Sequence, residues 1–409
     1  MKPAGPEAEL MLLSAGTCAR RARARSSAIE LAQAIDWDLL TAKLAARRLL
    51  PQLGPRVLEL CAGNVPERFT RACELALERA RRQSALLALL STRLLRALAE
   101  EGIRALALKG PFLGEAIYGD PGRRPAGDID LLVAPAELPR AVALARRAGY
   151  DAPSDSIDGE GLPLLHHALR HGSGQFPPLE LHWRVHWYER AFACEMLRAA
   201  EPGPEGELRA RPADELACLL LCYARDGFLG LRLSSDLGAW WDAFGERLPA
   251  GALAEIIERH PALAPALASA VAVSGRVVGL PRERLTGSRR LGLRERVASR
   301  LANPSALGDP AQLSADVGLI DWLLTPPGGQ RAFITRQLLP PREVLRLRSR
   351  SSGERSVSPL GHGARVLPRY GLALARLAGS SRVRTAGAGS RQAHSTPFSG
   401  PTSTSFIPL

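Results

Sequence analysis

Apolar and polar positions alternate without a break over residues 178–187, PLELHWRVHW. Leu179, Leu181, Trp183 and Val185 fall on one side, and Glu180, His182, Arg184 and His186 on the other. This period of two marks a strand. Two shorter apolar runs, at 103–108 (IRALAL) and 128–134, also read as strands. Helices are predicted between and after them at 111–118 and 136–148, with a short strand near 150. Residues 164–169 fit a strand or a helical turn. Elsewhere the apolar spacing is three and four, which predicts helices over 29–34, 37–50, 57–60 and 66–101. The last of these stops at Glu101-Gly102. Helical spacing returns at 212–226, 237–244, 250–260, 262–278 and 290–302. The pattern predicts an α+β (mixed α/β) fold: a small β-sheet core flanked by mainly helical N- and C-terminal regions.

Composition divides the 409 residues further. Residues 1–26 end in an Arg-rich run and are expected to be mobile. A helical region over 27–102 leads into the α/β core at 103–188, followed by a helical C-terminal domain at 189–330. A basic, weakly helical segment covers 331–378, and the Ser-, Gly-, Thr- and Pro-rich residues 379–409 read as a disordered tail. No apolar run reaches the length of a membrane span, so no membrane partner is expected. The six cysteines show no C-x-x-C spacing, which argues against zinc and against a disulfide framework. Cys218 and Cys222, one helical turn apart, read as buried apolar residues. A reducing, cytoplasmic setting fits this usage. From Arg331 onward the chain carries 13 Arg against two Glu, which is +11 of the net +13 and leaves +2 for the first 330 residues. A basic tail of this kind can bind nucleic acid. The near-neutral remainder argues against a long nucleic-acid substrate in the core.

Candidate chemistry gathers on the short strands. In RRPAGDIDLLV, residues 123–133, Asp128 and Asp130 sit two apart and project from the same side of a strand. Two adjacent carboxylates repel unless a cation lies between them. Oxygen-only ligands suit Mg²⁺, which takes one or two carboxylates together with substrate phosphates. Glu180, at the start of the polar face of 178–187, would complete a three-carboxylate site. Lys109-Gly110-Pro111 closes the first strand and opens a helix, a turn that favours anions. Lys109 is one of only three lysines against 51 arginines. Lys109 and Gly110 are therefore assigned to phosphate, with Arg123, Arg124 and Arg184 as further phosphate contacts. His182 is placed to orient a carboxylate, although a hydrogen-bonded strand histidine is the plainer reading of His182 and His186. His166, His167 and His171 read as loop or surface histidines.

LALKGPFLGEAIYGDPGRRPAGDIDLLV and LELHWRVHW together resemble the uncharacterised nucleotidyltransferase family of the DNA polymerase beta-like superfamily. The likeness runs from about Asp36-Trp37 to about residue 330. It implies two metal-binding acids in D-x-D, here Asp128 and Asp130, and a third on a neighbouring strand, here Glu180. It also implies one or two Mg²⁺ ions, with Mn²⁺ able to substitute, and an NTP, ATP first, as nucleotidyl donor. The acceptor would be a hydroxyl of a small molecule, a protein or an RNA. Asp236, in the segment 232–236 that precedes a helix after the sheet, would reach the cleft. The chain departs from the superfamily at the phosphate turn, Lys109-Gly110 in place of Gly-Ser, and at the third acid, Glu in place of the frequent Asp. A catalytically weak nucleotide-binding or protein-interaction module of the same fold is the alternative. RNA binding through the basic C-terminal region is a second.

Overall fold

The computed structural model describes residues 5–151, 165–189, 191–203, 207–304, 310–340, 342, 345 and 358–382. Five helices precede the sheet: α1 Pro6–Ser14, α2 Cys18–Ala34, α3 Trp37–Ala46, α4 Leu50–Leu60 and α5 Glu67–Glu100. The chain expected to be mobile before residue 27 is thus helical from Pro6. Leu10, Met11 and Ala15 are buried, and their burial outweighs the Arg-rich composition. One of those arginines, Arg21, is itself buried and donates to the Gly16 carbonyl at 2.6 Å. Helix was expected to continue from 37 to 50. It breaks instead after Ala46, where Arg48 takes a left-handed backbone (φ 54°), and Pro51 restarts it in the first turn of α4.

Helix α5 carries one buried stripe, Phe69, Cys73, Ala80, Ser84, Leu87, Ser91, Leu94 and Leu98, at helical spacing. It ends at Gly102, whose positive φ of 71° suits glycine. The core follows as β1 Ala105–Ala107, α6 Pro111–Tyr118, β2 Ile129–Val133, α7 Leu138–Arg147, β3 Tyr150–Asp151, β4 His166–His171 and β5 Leu179–His182. The sheet order is β1-β2-β5-β4-β3. Only the central β2–β5 pair is parallel; β1–β2, β5–β4 and β4–β3 are antiparallel. Residues 166–171 are therefore a strand. Strand β5 is shorter than the alternation suggested. It ends at His182, and the next two backbone N–H groups, of Trp183 and Arg184, both donate to the Leu165 carbonyl.

One face of the sheet (Ile129, Leu131, Val133, Leu179, Leu181) packs on Leu87, Leu94 and Leu98 of α5 and Ala141, Leu144 and Ala145 of α7. On the other face, Leu106, Leu108 and Leu132 join a larger core. That core is built from the N-terminal helices together with α8 Phe192–Arg198, α9 Pro212–Arg225, α10 Leu231–Phe244, α11 Ala252–Arg259, α12 Ala264–Val277, α13 Arg282–Thr286, α14 Leu293–Leu301 and α15 Pro310–Leu324. A small hairpin, β6 Glu201–Pro202 with β7 Leu208–Arg209, stands apart from the main sheet. Helices before and after the sheet thus share one apolar interior. Two more helices follow, α16 Gln330–Leu338 and α17 Pro359–Arg382. Residues 152–164 and the tail beyond 382 fall outside the described residues. No described helix is long and apolar enough to cross a membrane.

Candidate active site

The parallel pairing sets Asp130 opposite Glu180 and Leu132 opposite His182. Register partners share a face, so Asp130, Glu180 and His182 converge on one side of the sheet centre. Asp128 lies two residues before Asp130 at the mouth of β2. One carboxylate oxygen from each of Asp128, Asp130 and Glu180 lies within 4.8 Å of the other two. The antiparallel neighbour β4 places His166 opposite His182.

The electrostatics of these acids are divided. Burial works to raise the Asp130 pKa, but Lys109, with its Nζ 3.3 Å from Oδ2, and His182, with its Nε2 2.9 Å from Oδ1, hold it well below the ordinary value. Burial also opposes ionisation of Glu180, yet the hydrogen bond from His182 (3.3 Å) brings it down to about 2. Asp128 goes the other way: burial and the Asp130 charge raise it. His182 is raised despite its burial because it serves both carboxylates. Burial and the adjacent His182 lower His166 to about 4. The Asp128 carboxylate thus lacks the compensation its two neighbours have, which leaves a place for a cation. An all-oxygen donor set fits a hard divalent ion.

Lys109 reaches this centre because the Leu108 N–H donates to the Asp130 carbonyl (3.1 Å) and anchors the turn against β2. Gly110 then takes φ 80°, ψ −151°, which favours glycine, and caps the start of α6. The remaining predicted phosphate contacts have protein partners of their own, and Arg124 is also felt by Asp128 and Asp130. Arg124 is buried and donates through Nε to Asp236 (3.0 Å). Asp236 also accepts from Gln52 (2.7 Å) and Tyr118 (3.0 Å). The two residues form a structural ion pair that ties the loop before β2 to α4, α6 and α10. Arg123 stacks its guanidinium over the Tyr118 ring at 5.1 Å. Arg184 exerts its charge on Glu189 and Cys194.

Two residues beside the acids were not singled out from the sequence. Arg225, at the end of α9, has a side chain 16% exposed and is felt by Asp130, His166, His186 and Cys222. Its only local signal was its position closing a helix. His166 has its Nε2 3.7 Å from Glu180 Oε2. Cys218 and Cys222 are buried, as expected. The Cys218 hydrogen bond, aided by Arg225 and Lys109 against the cost of burial, lowers Cys222 to about 6.

The mixed sheet thus carries D-x-D at the start of one central strand and an acid in register on its parallel neighbour. A family profile described as uncharacterised nucleotidyltransferase matches residues 33–274, more than half of the chain, and the chain belongs to that family. No curated protein matches the chain, and no solved structure does.

Proposed function

We propose that the protein transfers a nucleotidyl group from an NTP, ATP first, to an acceptor hydroxyl, with Mg²⁺ held by Asp128, Asp130 and Glu180. The observation that supports this most strongly is the register of Asp130 with Glu180, which gathers three carboxylate oxygens within 4.8 Å. A divalent ion bound there supplies charge neutralisation to the triphosphate and polarises its phosphoryl oxygens. The protein's own work is positioning and electrostatics. Glu180, ionised down to about pH 2, acts as a ligand rather than a proton acceptor. Asp128 likewise serves as a ligand, and the acceptor's proton passes to solvent water. As that proton leaves, the acceptor oxygen bonds to the α-phosphorus, and the bond to the bridging oxygen breaks to release pyrophosphate. Lys109 and Arg225 hold fixed positive charge beside the acids, where phosphate oxygens would arrive. His182 locks Asp130 and Glu180 in one arrangement.

One observation favours a second reading. Lys109 already pairs with Asp130 at 3.3 Å, so a nucleotide-binding module with weak turnover is also consistent with the site. The experiment that separates them measures Mg²⁺-dependent label transfer from each of four α-labelled NTPs, beside NTP binding with and without metal. It compares wild-type protein with the Asp128→Ala, Asp130→Ala double variant. Transfer lost in the variant supports the enzyme. Metal-dependent binding without transfer supports the module. Absence of both binding and transfer overturns the reading.

A further inference from the structure

We infer that His166, Glu180 and His182 form a second cation site, one that takes a first-row transition dication of the Zn²⁺ and Co²⁺ kind. It rests on the proposed function only through Glu180, which both sites share.

The geometry comes from strand register. His166 opposite His182, and Ala168 opposite Glu180, put both imidazoles and the carboxylate on one sheet face. The two rings lie 4.8 Å apart, centroid to centroid. His182 Nε2 stands 3.3 Å and His166 Nε2 3.7 Å from the same oxygen, Glu180 Oε2. Ligands about 2.1 Å from a tetrahedral ion are separated from one another by roughly 3.4 Å. Those two spacings therefore match donors already arranged around one ion, and one ligand atom from each of the three residues lies within 4.8 Å of the other two.

The donor set decides which ion. Imidazole nitrogen suits the borderline transition metals, whereas Mg²⁺ prefers oxygen alone. Two imidazoles and one carboxylate, with further positions open, are the ligands of catalytic zinc sites. The Nδ1 atoms of both rings have no hydrogen-bond partner among the described residues. His182 Nε2 also lies 2.9 Å from Asp130 Oδ1, so an ion bound at Nε2 takes the place of that hydrogen bond. The His166 side chain is 23% exposed, which gives an ion a way in. Arg225 bears on His166 with its charge, so the ligands and not the general field must hold the ion. Glu180 would then be shared between an oxygen-ligated and a nitrogen-ligated position.

The test titrates Co²⁺ alone into the metal-stripped full chain, without nucleotide, and follows its visible ligand-field absorption. The expected result is a saturable band that persists in Asp128→Asn. In His166→Ala and His166→Gln the affinity should fall by more than the roughly 10–100-fold that loss of an outer-sphere partner costs. Proton NMR of the wild-type Co²⁺ protein needs no variant and should show two exchangeable imidazole N–H resonances shifted far outside the diamagnetic range. Absence of the band, of the shifted resonances, or of any effect of His166 substitution overturns the assignment. Because no nucleotide is present, failure of the NTP assays leaves this result unaffected, and the reverse also holds.

Discussion

The Lys109 ammonium lies 3.3 Å from the Asp130 carboxylate, in a site where that side chain is 17% and the carboxylate 5% exposed. The lysine stabilises a buried acid, and in the proposed reaction it would also present charge to phosphate. Lys109→Met separates these two parts. The metal-free variant should lose about 3 kcal/mol, the scale of a broken buried pair, and its melting temperature should rise more on Mg²⁺ addition than that of wild type. The KM for NTP should also rise. Thermal melts with and without Mg²⁺, beside steady-state kinetics, check both parts.

Asp128→Asn, Asp130→Asn and Glu180→Gln each remove the charge of one carboxylate of the proposed metal site while keeping shape. A metal ion supplies several kcal/mol of transition-state stabilisation, and each ~1.4 kcal/mol is tenfold in rate. Each variant should therefore lose roughly a hundredfold or more in kcat. The three will differ in the metal-free state. Asp128→Asn should be neutral or stabilising, because its carboxylate is the one whose pKa is raised. Asp130→Asn should destabilise, because Lys109 and His182 lose their partner. Rates with saturating Mg²⁺ and melts in chelator test the contrast.

The acids were legible because the signals that mark them are local. Asp128 and Asp130 sit two apart on an apolar strand, and Glu180 opens a run of strict alternation. What was not legible depends on contacts between distant segments. Arg124 and Asp236 lie 112 positions apart, and no spacing announces that the arginine beside the D-x-D strand pairs with an acid on α10. His166 looked like a surface histidine until β4 placed it against His182. The alternation at Trp183–His186 persists in sequence although the ladder ends at His182, since the chain turns to meet Leu165. Composition misled at the N-terminus, where a few buried leucines and one buried arginine count for more than the arginines around them.

Asp236 anchors a buried hydrogen-bond network. Its carboxylate receives Arg124, Gln52 and Tyr118, and it is fully buried. Asp236→Ala would strand the Arg124 guanidinium without its partner, and breaking such a buried pair costs roughly 3–5 kcal/mol. The expected outcome is a large fall in the denaturation midpoint, with Asp236→Asn milder because it keeps acceptor geometry for Gln52 and Tyr118. At temperatures where the variant is folded, Mg²⁺ affinity should be close to wild type. A loss of metal affinity equal to that of Asp130→Asn would instead place Asp236 in the site.

Asp321 supplies a pH dependence that is separate from the acid cluster. It is 2% exposed; Oδ1 accepts only a long hydrogen bond from Tyr188 (3.3 Å), and Oδ2 has no partner among the described residues. Burial raises its pKa from 3.8 to about 7, with Tyr188 opposing the shift. Between those two values the folded state keeps a proton that the unfolded state has lost, so stability falls as pH rises across that window. The full cost, of the order of a few kcal/mol, is reached above pH 7 and is absent below about pH 4. Asp321→Asn removes the titration while keeping the shape. The wild-type urea midpoint should therefore drop, relative to the variant, between pH 5 and pH 8, and the variant should be the more stable of the two at pH 8. A difference between the two proteins that does not change with pH would mean that Asp321 is ionised throughout and that another charge compensates it.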